Sequence, residues 1–365
     1  AFGNDHPDTA SAIGKIGSVL YALGDYQGAL VEFKKALAVF LSSVGKDHPS
    51  TADSYSGIGQ VMQATGAYSG ALVEYQKSLW IREVIFGKYH PNTAGSYDEI
   101  GQVFDKMEDY DAALVEYRKA LAIKESCLIK RHPSTATSYN NIGYALFAIG
   151  NHDAAELEYR KALDIYESVL GESHPHTATG YNNIGQVLKA KGNHSSALLQ
   201  FRKALKIKEA ALGKSHPSTA NTYLNIGSVL QLEGMHDAAL VKFGKAVRVY
   251  ESVLGVDKTE TATAYSYIAS VLYQKGDNAG ALVGYRKALT VRESVLGKHP
   301  STATSHSCVG SALASMGDYD GALEAFKSAL AIRTLVNGKD HEETLKCKTN
   351  INRVLECRGS TRRVI

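Results

Sequence analysis

The sequence predicts an all-α chain of stacked helical pairs, and three observations carry that expectation. A twelve-residue phrase recurs at a fixed interval: HPSTATSYNNIG starts at His132 and HPHTATGYNNIG at His174, with near-copies at His6, His48, His90 and His216, each 42 residues from the next. A period of this length over nearly the whole chain marks a repeat array. The residues between two phrases fall into two apolar patterns of helical spacing, each closed by a glycine. No segment alternates apolar and polar residues with the period of two that a half-buried strand needs.

The unit beginning near Thr177 shows the elements in order. In TATGYNNIGQVLKAKG, residues Ala178, Tyr181, Ile184, Gly185 and Leu188 share one helical face, and Gly192 ends the run; this is a first helix, A, of about four turns. In NHSSALLQFRKALKIKEAALG, residues Ala197, Leu198, Phe201, Ala204, Leu205 and Ile207 share a face, and Gly213 stands where a helix C-terminus favours glycine; this is a second helix, B. KSHPST links to the next unit, with Pro217 in the first turn of the following helix, where a missing N–H costs nothing.

Small residues recur inside the helices. Gly17, Gly59, Gly101, Gly143, Gly185, Gly227 and Gly310 occupy one A-helix position, with Ala269 in the seventh unit, and alanines such as Ala197 and Ala204 recur in B. A helical glycine costs about 1 kcal/mol relative to alanine, so its recurrence needs a reason. Close approach of two helices supplies one, with Tyr181, Ile184, Leu188 and Phe201 filling the space around it.

Later starts are a degenerate form around Lys258, then His299 and His341, the last two out of step because LGKHP lacks one residue. The chain therefore divides into eight tandem units over residues 1–340 and a segment 341–365 that supplies only an A-type helix, a partial ninth repeat or a cap. Glu108 replaces the glycine between the two helices, Glu156 a leucine, Ile129 the linker glycine, and VDKTETA (Val256 to Ala262) lacks His-Pro. A local change of register or loop shape is expected at these places.

The wording LGKxHPxTA…YNNIG…YxxAL…YRKALxIxE resembles the tetratricopeptide repeat in an extended form, and specifically the repeats of kinesin light chains and nephrocystin-like proteins. The resemblance spans essentially the whole chain. It implies a right-handed superhelical solenoid of antiparallel helix pairs whose A helices line a concave groove that binds peptide segments of other proteins.

Lys and Arg number 40 against 37 Asp and Glu, so no overall field draws the chain to nucleic acid or membrane. Four cysteines, Cys127, Cys308, Cys347 and Cys357, show neither a CxxC pair nor repeat-locked spacing, which disfavours disulfides and zinc and points to a reducing, cytoplasmic setting. No run of about 18 apolar residues is present. The opening AFGNDHP lacks Met and lies within what later units show to be a linker, as in a fragment or processed chain.

The thirteen histidines invite a metal or general-base reading. Eight recur once per unit in the linker without HExxH or a clustered partner, which fits a ring holding a helix start; His152, His194 and His236 stand where Tyr26, Tyr68, Tyr110 and Tyr319 do and read as packing. GKS at Gly213 to Ser215 fails as a phosphate loop, because Lys208 stands where the earlier glycine belongs. Arg118-Lys119, Arg160-Lys161 and Arg286-Lys287 suggest a basic ridge, but Glu32, Glu74, Glu116 and Glu158 stand three residues before Lys35, Lys77, Lys119 and Lys161, as on a solvated helix face. No catalytic constellation, metal site or cofactor is expected.

The variable A-helix positions have their own helical spacing: Thr179, Asn182, Asn183, Gln186, Lys189 and Ala190 in the fifth unit. Across the units these positions hold Lys15, Lys106 and Lys189 as bases and Asp53, Asp98, Glu99 and Asp105 as acids, so the expected wall is mostly neutral and polar. Asn141, Asn183 and Asn225 recur at one position with Asn140 and Asn182 beside them, and an amide can pair with any peptide backbone. Tyr144 and Phe147 of the fourth unit, with Tyr267 and Tyr273 of the seventh, are candidate anchors. The candidate groove is thus Asn140, Asn141, Asn182, Asn183, Asn225, Tyr144, Phe147, Gln186 and Lys189. Basic residues for clamping a terminal carboxylate are missing beside Gln186, Ser228 and Asn182, and the wall is less basic than acidic peptides require.

The leading functional expectation is a non-enzymatic scaffold or adaptor for protein–protein interaction. The alternative is a sensor or autoinhibitory arm of a larger nucleotide-dependent switch protein, and a third reading is a structural rod. A phosphate-loop domain upstream supports the second; a coiled coil upstream supports an adaptor.

Overall fold

A computed structural model describes residues 5–127 and 131–362, with side chains described as far as residue 359. These residues form seventeen helices and no strand. The A helices are α1 (Pro7–Ala22), α3 (Pro49–Ala64), α5 (Pro91–Lys106), α7 (Pro133–Ala148), α9 (Pro175–Ala190), α11 (Pro217–Leu232), α13 (Thr259–Gln274) and α15 (Pro300–Ser315). The B helices are α2 (Tyr26–Ser43), α4 (Tyr68–Phe86), α6 (Tyr110–Cys127), α8 (His152–Leu170), α10 (His194–Ala211), α12 (His236–Val253), α14 (Asn278–Leu296) and α16 (Tyr319–Asn337), and α17 (Glu342–Arg362) follows.

The helices lie in two compact units, residues 1–191 with α1 to α9 and residues 192–365 with α10 to α17. In the first unit α1, α3, α5 and α7 each pack along the helix that follows, and each B helix packs in turn on the next A helix. The second unit has the same order from α10 to α17. Neighbouring A helices also meet directly, α1 with α3 and α11 with α13.

The linker histidines start the helices. Nδ1 of His6, His48, His90, His132, His174, His216, His299 and His341 accepts the backbone N–H two residues on, at 3.1–3.2 Å. The ring thus does what a Ser or Asp does at other helix starts, and in seven of these helices the next residue is the proline whose missing donor is harmless there. A threonine then ties the helix back across the linker: Oγ1 of Thr51, Thr93, Thr177, Thr219, Thr261 and Thr344 donates to the carbonyl of the glycine six residues earlier, at 2.8–2.9 Å.

Two expected changes of register do not occur. Glu108 adopts φ 61° and makes the same turn as the glycines of the other hairpins, the one non-glycine residue with positive φ among those described. In VDKTETA, Lys258 takes the extended backbone of the histidine caps without a side-chain bond, and α13 still starts at Thr259. The local change falls instead at LGKHP, where Thr302 reaches the carbonyl of Arg292 at 3.4 Å rather than a glycine carbonyl. Ile129 lies outside the described residues.

The A-helix glycines face a B-helix ring. A Cβ at Gly59, Gly101, Gly143 or Gly227 would lie 2.9, 2.6, 2.8 or 2.5 Å from a ring carbon of Tyr75, Tyr117, Tyr159 or Phe243. The seventh unit makes the contact differently: Ala269 brings its Cβ to it, and Gly284 stands opposite, where a Cβ would be 2.9 Å from that of Ala269. In the fifth unit the buried B-helix residues are Ala197, Phe201, Ala204 and Lys208, and Ile207, expected in the core, is only half-buried.

The left-handed turn at Glu108 costs a side chain about 1 kcal/mol that glycine does not incur. Glu108→Gly is therefore expected to raise the free energy of unfolding by about 1 kcal/mol, read as a higher urea midpoint with an unchanged slope. An unchanged or lower midpoint would show that the side chain gains more in this turn than the backbone loses.

Candidate functional site

The candidate wall is carried by the A helices. Asn140, Asn141, Tyr144 and Phe147 lie on α7 and Asn182, Asn183, Gln186 and Lys189 on α9, all in the first unit, whereas Asn225 lies on α11 in the second. Asn183 Nδ2 donates to Asn140 Oδ1 at 2.7 Å, so the amide row does join neighbouring A helices. Nδ2 of Asn141 is buried without a hydrogen-bond partner among the described residues. Asn225 is buried and donates to Asn221 Oδ1 at 3.3 Å.

Of the aromatics, Tyr144 is 47% exposed and sets its edge toward Tyr110 at 6.3 Å between ring centroids. Phe147 packs against the ring of His152 at 5.2 Å. Tyr267 stacks on Phe243 at 5.0 Å and so serves packing, and the Tyr273 hydroxyl bonds that of Ser315 at 2.9 Å. Burial pulls the Lys189 ammonium below its usual range. Gln186 is half-buried.

A hollow on this wall lies further toward the N-terminus. A cavity of about 600 Å³ is lined by Tyr21, Gln60, Gln63, Ala64, Tyr68, Tyr75, Glu99, Gln102 and Lys106. Tyr75, buried by its ring, donates its hydroxyl to Gln63 Oε1 at 3.0 Å. Ser56 Oγ donates to Glu99 Oε1 at 2.6 Å, and burial pushes the Glu99 carboxyl above its usual value against the pull of Ser56 and Arg82.

Asp98 and Glu99, expected as acids of the wall, are held by cations from the B helices, Asp98 buried and Glu99 half-buried. Lys124 Nζ bonds the Asp98 carboxylate, Ser138 Oγ at 2.8 Å and the Ser134 carbonyl at 3.2 Å. Arg82 reaches Ser96 Oγ at 2.7 Å, Asp53 at 3.0 Å and Glu99 at 3.5 Å. The same B-helix position holds Lys208, Arg292 and Arg333 in the second unit. Arg333 pairs with Glu343 at 3.1 Å, whereas Arg292 meets, among the described residues, the hydroxyls of Ser305, Ser266 and Thr263 at 2.6, 3.2 and 3.3 Å. Lys208, 5% exposed, donates to the Ser218 carbonyl at 3.3 Å, and burial lowers its pKa to about 8. This buried row was visible in the sequence only as one B-helix position alternating between cations and the aromatics Phe40, Tyr166 and Tyr250.

A second repeated contact joins units on the B-helix side. Tyr97 donates its hydroxyl to Glu83 at 2.8 Å, and Tyr139, Tyr181, Tyr223 and Tyr265 reach Glu125, Glu167, Glu209 and Glu251 likewise. Lys119, Lys161, Lys245 and Lys287 lie over the rings of Tyr97, Tyr139, Tyr223 and Tyr265 at 5.2–5.5 Å. In the eighth repeat His306 replaces the tyrosine and meets Glu293 at 3.1 Å. The expected helix-surface pairs form, Glu32 with Lys35 and Glu116 with Lys119 at 2.7 Å, Glu74 with Lys77 and Glu158 with Lys161 at 2.9 Å. His194, expected only to pack, also bonds Glu233 at 2.8 Å, and Glu156 bridges Arg160 and Lys191 at 2.6 and 3.0 Å.

Among the described residues no group of three or more His, Cys, Asp or Glu is placed to hold a metal ion, and no helix is long and apolar enough to cross a membrane. The tetratricopeptide repeat model matches residues 8–83, 68–126, 134–210, 218–294, 260–333 and 301–363. No curated protein sequence matches. Among solved structures, the apo form of RapI is similar at 17% identity and a TM-score of 0.63 over 79% of this chain and 98% of that one. The nearly identical TPR-like repeats of a kinesin light chain-type protein of Podosopora anserina, in a singly substituted form, are similar at 18% identity and a TM-score of 0.50 over 57% of this chain and 98% of that one.

A buried ammonium that is neutral more readily than in water costs stability while charged. The folded pKa of Lys208 is depressed, so the unfolded chain binds more protons between about pH 8 and the usual lysine value, and stability rises with pH across that window. Lys208→Met is expected to stabilise the second unit at pH 7 by about 1–3 kcal/mol. The gain shrinks as the pH is raised through 8 to 10.5 in urea titrations, and a gain independent of pH would count against a charged Lys208 as its origin.

Proposed function

Because the chain belongs to the tetratricopeptide repeat family, we propose that it is a non-enzymatic scaffold or adaptor that binds peptide segments of other proteins along the wall of its A helices. One observation carries this reading: Asn183 and Asn140 are linked across two neighbouring A helices at 2.7 Å, beside the half-exposed Tyr144. Amides so arranged bond peptide groups whatever the side chains, and an exposed aromatic supplies an anchor. The buried, unpartnered Asn141 Nδ2 adds a donor that a bound carbonyl would satisfy after a small side-chain movement. The hollow at Gln60, Gln63 and Gln102 extends the same amide chemistry toward α1.

An extended segment laid on α7 and α9 would give its backbone to the asparagines and an apolar side chain to Tyr144 and Phe147. Most affinity would then come from the anchors, with Gln186, Asn182 and Lys189 at the margin. Few unpaired charges line this stretch, so binding should depend only mildly on salt. Partners are proteins, with no part for nucleic acid, membrane or a cofactor.

The test is capture of partner segments followed by titration. Asn183→Ala is expected to weaken a captured segment by about 1 kcal/mol, roughly fivefold in Kd, with folding unchanged. The Asn141, Asn183 and Asn225 triple alanine variant should lose more. Equal binding by the wild type and the triple variant would move the site off this row.

A further inference from the structure

The repeated tyrosine–glutamate contact on the B-helix side is incomplete in one place. In the second repeat Tyr55 stands at the tyrosine position with Lys77 over its ring at 5.2 Å, as in the later repeats, but Leu41 occupies the place of the glutamate. The Tyr55 hydroxyl has no hydrogen-bond partner among the described residues, although its counterparts Tyr97, Tyr139, Tyr181, Tyr223 and Tyr265 all donate to a carboxylate. A cavity of about 520 Å³ opens over it, lined by Lys46, Val73, Trp80 and Ile81 among others.

The equivalent cleft two repeats later holds two carboxylates in this space. It measures about 430 Å³ and is lined by Glu125, Tyr139, Lys161, Asp164 and Arg131, which meet their own charges: Tyr139 donates to Glu125, and Arg131 pairs with Asp164 at 3.3 Å. In the second repeat Trp80 replaces that aspartate and Leu41 that glutamate, so both carboxylates are gone while the lysine over the ring stays. Lys46 joins it, with Nζ 5.7 Å from the centroid of the Trp80 ring and no carboxylate at ion-pair distance among the described residues. The remaining acid is Glu74, which holds Lys77 at 2.9 Å from one side.

The helix beneath is apolar on two faces. Ala71, Tyr75 and Ile81 of α4 are buried, while Val73, Trp80 and Val84 are 49–56% exposed on the other side. Trp80 is the one tryptophan of the sequence, and Ala122, Asp164, Lys206, Arg248 and Thr290 stand at its position in later repeats. A large exposed aromatic in a hollow is the usual centre of a binding surface, and its apolar neighbours exclude water from a polar contact beside it.

We infer that this cleft is a second protein-docking site, separate from the A-helix wall, which takes a segment carrying a carboxylate side chain next to a bulky apolar one. The carboxylate accepts the Tyr55 hydroxyl and faces Lys46 and Lys77, taking the part that Glu83 and its counterparts take within the chain. The apolar side chain lies on Trp80 and Val73. Charge complementarity fixes the choice of occupant: two ammonium groups and a hydroxyl donor converge where the other repeats place an acid of their own.

The sole tryptophan lies in the cleft, so its fluorescence in the full chain reports occupancy. The probe is a pool of acetylated, amidated synthetic pentapeptides with glutamate between two large apolar residues, compared with the same pool carrying glutamine. The glutamate pool is expected to change Trp80 emission saturably and the glutamine pool to need at least tenfold more peptide. Leu41→Glu, which restores the chain's own carboxylate, should weaken the glutamate pool at least tenfold with an unchanged or higher melting temperature; Leu41→Gln should not. The triple asparagine variant of the A-helix wall should bind the pool as the wild type does. Equal response to the two pools, no response to either, or full binding by Leu41→Glu overturns the proposal. So does loss of binding in the asparagine variant, which would place the peptide on the wall. Self-association of the wild type in sedimentation, abolished by Leu41→Glu, would overturn it in favour of a second copy of the chain.

Discussion

Where an aromatic ring of a B helix lies against the backbone of an A helix, nothing larger than a hydrogen fits on the A-helix residue between them. Gly101 meets Tyr117 and Gly227 meets Phe243 closely enough that an added methyl would fall 2.6 and 2.5 Å from a ring carbon. This spacing fixes how near the two helices of a hairpin lie, and through it how the B helix presents its far face to the next repeat. The choice of ring reaches further. Tyr75 and Tyr117 are buried but pass their hydroxyls through to the A-helix wall, where Gln63 and Asp105 accept them. Phenylalanine at the same position, as in Phe243 and Phe326, asks nothing of the wall. Core and candidate surface are therefore coupled through one side chain per repeat.

The repeated part of this arrangement was legible in the sequence because repetition averages away local noise. Period, helix pairs, the glycine contact and the role of the linker histidines follow from residues that recur in register. Residues that answer to one another across repeats were not legible. Asp98 and Glu99 sit at variable A-helix positions and read as acids of the wall; the cations that hold them, Lys124 and Arg82, lie 26 and 17 residues away. Lys208 follows Ile207 in an amphipathic run, and nothing local says that the lysine points inward and the isoleucine only halfway. The asparagine row was legible as a pattern, but the bond that Asn183 makes across helices to Asn140 and the bond of the buried Asn225 to Asn221 were not.

The buried cations of the two units differ in their partners, although Arg333 of the second also meets an acid, Glu343. In the first, Lys124 meets the buried Asp98, and Arg82 meets the half-buried Glu99 as well as the exposed Asp53, so attraction offsets much of the cost of burial. In the second, Lys208 and Arg292 have carbonyl and hydroxyl partners, and burial alone moves the titration of both downward. Arginine tolerates this better than lysine because its charge is delocalised and weakly hydrated. Lys208 is the one that gains by losing its proton.

A repeat array makes departures interpretable, since each position has several internal controls. Some departures here are balanced within the chain. Ala269 brings a methyl to the hairpin contact where Gly284, opposite, carries none; His306 replaces a tyrosine and meets Glu293 as the tyrosines meet their glutamates. At Leu41 the carboxylate is lost while the tyrosine hydroxyl and the lysine over its ring remain, and a tryptophan appears beside them with half its surface in solvent. A structural role alone gives no reason to keep the Tyr55 hydroxyl once its acceptor is gone or to expose the largest apolar side chain beside it. An unbalanced departure of this kind has its counterpart outside the chain, and the repeat itself names the missing group: a carboxylate within reach of Tyr55, Lys46 and Lys77.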